Sequence, residues 1–315
     1  MDVPADFPST LPEFEERFGT EEQCRDFLAG LRWPDGFVCP SCGSRAAFRL
    51  NVRDLWECLS CRHQTSVTAG TIFHGTRKPL VMWFRAMFHV CVDKSGLSAT
   101  MLKKLMGFRS DQTAWAWLHK LRKVMVRPSR PKLEGKVEVD ETFVGGVDEG
   151  AHGRGTEKPL VAAAVERVDV AGARRPALGR VRLAVIEDAT QVSTTSFAAA
   201  NVTTGSMVLT DGLASYAELA EAGFVHRPRV IGKNRKNASK LLPGVHRIAS
   251  LLKRWLLGTH QGAVRPRYLQ AYLHEFEFRF NRRKSRHRGK LVFRLAELAV
   301  AAPPHPYREI IGAGA

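Results

Sequence analysis

Acidic residues are in short supply in this chain of 315 residues: Asp and Glu number 31 against 48 Lys and Arg, which leaves a formal net charge of +17. A surplus of that size exceeds what solubility requires and points to a polyanionic partner. Long apolar runs are also missing. The richest stretch, Leu80 to Val92, is interrupted by Arg85 and His89, well short of the roughly 20 apolar residues of a membrane helix, so no membrane role is expected. The first residues, Met1 to Phe7, have neither the basic head nor the apolar core of a signal peptide. A reducing, cytoplasmic location is therefore expected, where six cysteines are not a disulfide framework. Apolar material is not lacking: 44% of the chain is hydrophobic and 25% charged, enough for about two folded units.

Four of the cysteines fall in two C-x2-C pairs, Cys39/Cys42 and Cys58/Cys61, with fifteen residues between the pairs. Each pair sits in a turn-forming context, and the segment between them is long enough for a hairpin. That spacing predicts a zinc ribbon, in which four thiolates fill a tetrahedral Zn2+ and leave no position for water, so the metal is structural. A redox role fits less well, because two pairs are one too many and no thioredoxin-like β-α-β pattern surrounds them. Cys24 and Cys91 lie in helical patterns and are expected in the core.

From Pro79 to Val126 the pattern is helical, in three short segments separated by Gly-containing turns. Ser98 is the expected cap of the second, with Leu102, Leu105 and Met106 as its apolar face, and the third starts near Ser110. This predicts a helix-turn-helix. The third helix carries Gln112, Thr113, Lys120, Arg122 and Lys123, types that meet base edges and phosphates in a major groove. A plain helical bundle with a solvated basic face is the alternative, and the zinc ribbon and net charge favour DNA binding.

After an extended, proline-containing linker the texture changes. Strands are predicted over 136–143, 160–168 and 179–186, a helix over 193–200, a strand over 206–210, a helix over 216–222, a strand over 225–231 and a helix over 245–257 closed by Gly258. The order β-β-β-α-β-α-β-α is that of an RNase H-like domain. Asp140 lies on the first strand and Asp211 follows the fourth, which in such a sheet neighbours the first. Two acids meeting there can hold a pair of divalent cations, with Mg2+ expected and Mn2+ a substitute, for chemistry at a phosphodiester.

The phrases around Asp140 (Val-Glu-Val-Asp-Glu-Thr-Phe-Val-Gly-Gly), Asp211 (Thr-Asp-Gly), Lys253 and Glu275 (His-Glu-Phe-Glu-Phe-Arg-Phe-Asn-Arg-Arg) resemble bacterial insertion-sequence transposases of the ISXO-like group. These pair an N-terminal zinc ribbon with a DDE-type, retroviral-integrase-like catalytic domain. The resemblance runs from about Phe14 to Leu295 and implies metal-dependent strand cleavage and strand transfer at terminal inverted repeats and target DNA. In that pattern a third acid stands some 34 or 35 residues beyond the second, with Lys or Arg seven further on. Here 34 residues intervene between Asp211 and His246, and Lys253 follows seven after it. Two helical turns put His246 and Lys253 on one face, above a buried stripe of Ile248, Leu252 and Trp255. Imidazole can replace a carboxylate as a ligand, and Lys253 can grip a phosphate. Glu275, with 63 residues between it and Asp211, and Asp188 are the rival acids, read as a packing-flank residue and a turn acid. Strand alternation sends Glu141 to the face opposite Asp140 and leaves Glu138 beside it.

Further basic residues, Arg279, Arg282, Arg283, Lys284 and Arg286, with Lys233 in a second patch, complete the expected phosphate contacts. The expected organisation is an α/β protein: helical segment 1–36, zinc ribbon 37–72, helix-turn-helix 73–127, linker 128–135, RNase H-like catalytic domain 136–262, and a C-terminal helix and basic tail over 263–315 completing it. Synapsis of two DNA ends requires a homo-oligomer, at least a dimer, associated with the nucleoid. The competing expectations are a catalytically inactive, transposase-derived DNA-binding regulator and a nuclease without strand transfer.

Overall fold

The computed structural model describes residue 4, residues 6–50, 52–127, 129–145, 158–172, 176–230 and 238–312. The chain divides into two compact units, Met1–Arg127 with Ser285–Ala315, and Pro128–Lys284.

In the first unit, α1 (Leu11–Arg17) and α2 (Glu21–Arg32) each begin at a threonine whose partner three residues on closes a capping box. Three short antiparallel strands follow, β1 (Ala47–Leu50), β2 (Leu55–Cys58) and β3 (Gln64–Thr65). The ribbon is tied to α2 by Arg49 on Asp26 and Arg25 on Asp54, and by the Trp33 and Trp56 rings. Helices α3 (Leu80–Val92), α4 (Ala99–Met106) and α5 (Asp111–Val124) come next. Ser98 and Ser110 cap the last two, and Gly107, left-handed at φ 63°, turns one into the other. The indoles of Trp83 and Trp117 stack at 3.6 Å, while Phe7, Phe14, Phe18, Phe27 and Phe84 fill the other side of α3.

Helix α10 (Gly289–Ala301) belongs to this same unit and packs against α2, α3 and α5. The expectation that the whole of 263–315 completes the catalytic domain is thus corrected for residues 285–315. The reason is packing: Phe293 joins the Phe7 and Phe27 rings, and Gly289 passes so close to the Pro8 carbonyl that a Cβ there would collide with it.

The second unit is built on a five-stranded mixed sheet, β6-β5-β4-β7-β8, from β4 (Lys136–Phe143), β5 (Leu160–Val168), β6 (Ala177–Ile186), β7 (Met207–Thr210) and β8 (Val225–Pro228). The first three form an antiparallel meander; β7 lies parallel to β4, and β8 parallel to β7. This is the RNase H-like arrangement. On one face, Val137, Val139 and Val208 pack with α6 (Gln191–Asn201) and a short helical turn, Ala214–Leu219. On the other, Val161, Val165 and Leu209 meet α8 (Pro243–His260) and α9 (Leu269–Asn281); the short α7 (Ala238–Leu241) precedes α8.

Two local expectations differ from the structure. Residues 130–134 are not a free linker: Leu133 is buried and pairs with Val202, Arg130 meets Glu277, and Lys132 donates to the Ala199 carbonyl. Helix α8 passes through Gly258 and ends at Gln261, left-handed at φ 51°. An exposed glycine in a helix costs only about 1 kcal/mol, less than the packed remainder of α8 supplies.

The free edge of β6 is closed by side chains of α9. Gln270 accepts from Val185 N, Glu277 from Leu183 N, and Asn281 both accepts from Val181 N (2.7 Å) and donates to its carbonyl (3.1 Å). Arg283 continues the series onto the carbonyls of Leu178 and Gly179. A bare edge invites pairing with another chain, and this stripe removes the invitation. Asn281→Ala is expected to lower unfolding free energy by about 1–3 kcal/mol, the cost of leaving strand groups unpaired, as measured by chemical denaturation. A loss under about 0.5 kcal/mol contradicts the role given to the stripe.

Candidate active site and metal centre

The four cysteines converge as their spacing predicts. Both knuckles are tight turns, Gly43 N donating to Cys39 O and Arg62 N to Cys58 O, with Gly43 and Arg62 both at positive φ. Sγ of Cys39 lies 3.6 Å from that of Cys61, and Cys42 lies 3.6 Å from Cys58. Among the described residues this is the one group of three or more metal-ligating side chains, with donor atoms all within 4.8 Å of one another. Hydrogen bonds from the amides of Cys61 and Ser60 draw the Cys58 thiol down to about 6. Cys42 receives the Ser44 amide, which pulls it down, but the crowded thiols of Cys61, Cys58 and Cys39 hold it up at about 12. Four sulfur donors closed around one point fit structural zinc, with no open position for chemistry. Cys24 and Cys91 are buried away from this site as core residues.

The second centre lies where β4 and β7 run side by side. Glu138 is paired with Leu209, and the same parallel register carried two residues further brings Asp140 level with Asp211, just beyond the end of β7. Gly212, at φ 82°, turns the chain there, and Asp211 Oδ1 accepts from Leu213 N at 3.0 Å. Helix α8 supplies the third group. Nε2 of His246 stands 3.8 Å from Asp140 Oδ2, is out of contact with solvent and makes no hydrogen bond. That separation is too long for a hydrogen bond. It lies within the span of two donors that share one cation at about 2.1 Å each, at most about 4.2 Å.

The electrostatics describe a centre short of positive charge. Burial, then the charges of Glu141 and Asp211, push Asp140 up to about 7. His246 is held below its ordinary value by burial, with Asp211 opposing and Lys253 adding to it, which favours the neutral ring and its lone pair. Lys253 is lowered by burial and by Lys158. Asp140 and His246 stand close enough to share one cation, and Asp211 is near enough for its charge to act on both, while among the described residues only the four cysteines gather three or more donors at metal-binding separation.

The rival acids take other duties. Glu275 is buried beside Arg279, 3.5 Å away, and Asp188 receives hydrogen bonds from Thr190 and Ser193 at the start of α6. Glu141 faces away from Asp140, as alternation requires, and accepts from the Tyr216 hydroxyl. Glu138 lies fully buried on the Asp140 side.

The basic residues fare unevenly. Arg279, Arg282 and Arg283 are half-buried: Arg282 lies over the Phe278 ring and Arg283 over that of Phe280, with the guanidinium groups of these two donating to backbone carbonyls. Lys284 and Arg286 are exposed. On α5, Gln112 and Lys123 are exposed, Thr113 is half-buried and Lys120 reaches toward the Trp83 ring, but Arg122 is buried and leaves the expected DNA face. Leu105, expected inward, is also exposed. Lys233, with Arg235 and Lys236, lies outside the described residues.

The chain thus combines an RNase H-like domain with a four-cysteine ribbon. Residues 132–281 match the family described as the ISXO2-like transposase domain, and residues 19–64 match the transposase zinc-ribbon domain. These two matches identify a transposase domain and a transposase zinc ribbon within the chain. It is 27% identical over 287 residues to a protein of the transposable element ISH50 from Halobacterium salinarum, a match covering 83% of this chain and 91% of that protein. Among the described residues no helix is long and apolar enough to cross a membrane.

Cys39→Ser is expected to lose bound zinc and specific DNA binding while the unit Pro128–Lys284 stays folded. Full zinc occupancy in that variant, by metal analysis of the purified protein, contradicts the four-cysteine site.

Proposed function

We propose that this transposase cleaves DNA at terminal inverted repeats and joins the ends to target DNA by DDE-type chemistry, with His246 in the place of the third acid. The reading rests above all on the orphaned Nε2 of His246 beside Asp140. Asp140, Asp211 and His246 hold the cations, probed as Mg2+ or Mn2+. Bound there, a pair of divalent ions activates the attacking oxygen and stabilises the leaving one. Water attacks the phosphorus in cleavage, and a 3′-hydroxyl in joining; each loses its proton as the bond to the departing 3′ oxygen breaks. Lys253 holds a neighbouring phosphate.

Binding to double-stranded DNA is assigned to the zinc ribbon and to α4 and α5, through Gln112, Thr113, Lys120 and Lys123, with Lys284 and Arg286 on the backbone. Joining two ends at one target requires at least two protomers, acting at the nucleoid. The replacement of a carboxylate by His246 favours one second reading, a regulator that binds the same ends without cutting them.

Nicking of a duplex made from the DNA flanking the reading frame tests both. Asp140→Asn and Asp211→Asn are expected to abolish nicking and retain binding. His246→Ala should raise the half-saturating magnesium concentration by at least about tenfold, and His246→Glu should keep nicking. If His246→Ala nicks as fast as wild type at limiting magnesium, the assignment of His246 fails. Binding without nicking by the wild type establishes the regulator.

A further inference from the structure

Three acids stand together on β4, Glu138, Asp140 and Glu141, and only the middle one points into the centre just described. The other two are engaged at its borders. Oε2 of Glu138 accepts hydrogen bonds from the amides of Gly244 (2.6 Å) and Val245 (3.0 Å), the opening residues of α8. Its Oε1 is 3.2 Å from Arg167 Nη1. Helix α8 has no local side-chain cap, since Leu242 occupies that position.

The choice of cap has a geometric consequence. A serine or aspartate at the N-cap satisfies the same orphan amides at lower desolvation cost, but it only stabilises the helix and does not locate it. A carboxylate from β4, 106 residues away in sequence, fixes the helix end against the strand that carries Asp140. His246 follows one residue after the second captured amide. The approach is close: a Cβ on Gly244 would stand 2.7 Å from Glu138 Oε2 and 3.1 Å from its Cδ, so the carboxylate would have to move to admit it.

Glu141 does the corresponding work on the opposite face. It accepts from the hydroxyl of Tyr216, a buried ring in the helical turn Ala214–Leu219. That turn is held on its other side by Thr194, whose hydroxyl donates to the Ser215 carbonyl at 2.5 Å. It connects directly to Asp211 through Gly212 and the Leu213 amide.

We propose that Glu138 and Glu141 are paired positioning residues, Glu138 setting the start of α8 so that His246 faces Asp140, and Glu141, through Tyr216, setting the segment that follows Asp211. The proposal rests on the metal-dependent reading of the centre for its consequence, but not for its structural content. Of three neighbouring acids, one then holds the cation and its two flanking partners bring the remaining ligands to it.

The test uses the full chain with Glu138→Ala, Glu138→Gln, Gly244→Ala and Tyr216→Phe, each alone and in a His246→Ala background. Amide hydrogen exchange by mass spectrometry is read first, because it depends on neither cleavage nor cation. Glu138→Ala and Gly244→Ala should lose protection across residues 243–248 while peptides of β5 and α9 keep it, and Glu138→Gln, which retains an acceptor, should recover most of it. Tyr216→Phe should lose protection across residues 211–219. Manganese binding to the protein without DNA is read second. Glu138→Ala and Gly244→Ala should weaken it by about 10- to 100-fold, the usual effect of losing a group that orients a ligand. In the His246→Ala background, Glu138→Ala should weaken it no further, because both changes remove the same ligand; Tyr216→Phe, acting at Asp211, should still add its effect.

Wild-type exchange across 243–248 in Glu138→Ala overturns the proposal, as does additivity of Glu138→Ala with His246→Ala. If Glu138→Ala does not fold, Gly244→Ala and Glu138→Gln carry the same comparison. A wild type that binds manganese and shows this pattern yet never nicks DNA refutes the strand-cleavage reading and leaves the positioning roles standing.

Discussion

Strand β4 is the central strand of its sheet, hydrogen-bonded to β5 on one side and β7 on the other, so its register cannot slip without breaking both ladders. That constraint assigns a face to every side chain along it. Val137 and Val139 go to the α6 core, Glu138 and Asp140 to the α8 face, and Glu141 back to the first. A shift of one residue would bury Asp140 among aliphatic side chains and present valine to α8. The centre is therefore inherited from the pairing of β4, and α8 and the segment after Asp211 are added to it by hydrogen bonds that start on the same strand.

Much of this was legible from sequence because period and spacing survive folding. The seven residues from His246 to Lys253 span two helical turns and place both on one face, while the 34 between Asp211 and His246 carry meaning only through the resemblance to the transposase pattern. The limits of β4 and β5 and the two cysteine knuckles follow from local pattern in the same way. What stayed hidden are contacts between residues far apart in sequence. Glu138 reads as a neighbour of Asp140, and nothing local says that it caps a helix beginning at Pro243. The run of arginines from Arg279 reads as a set of phosphate contacts, whereas Arg282 and Arg283 lie over phenylalanines of α9 and donate to carbonyls. Charge counting cannot tell a guanidinium that stacks from one that is hydrated.

The division of the chain follows a similar logic. Composition shifts near Pro128 mark one boundary, and the structure has it there. The return of residues 285–315 to the first unit has no such marker, because α10 looks like any amphipathic helix until the aromatic cluster it completes is known. Within each unit the polar devices are local in effect. Zinc closes a ribbon whose short strands bury too little surface to hold themselves together. The side chains of α9 close a sheet edge, and the capping carboxylate of β4 closes a helix end.

The central claim is that His246 completes a cation site with Asp140 and Asp211. Its most direct measurement is anomalous diffraction at the manganese edge from crystals of the full chain grown with Mn2+. The expected result is a manganese within ligand distance, about 2.1 Å, of both an Asp140 oxygen and His246 Nε2. Manganese held by the two aspartates with the imidazole turned away, or coordinated by Glu275, contradicts it.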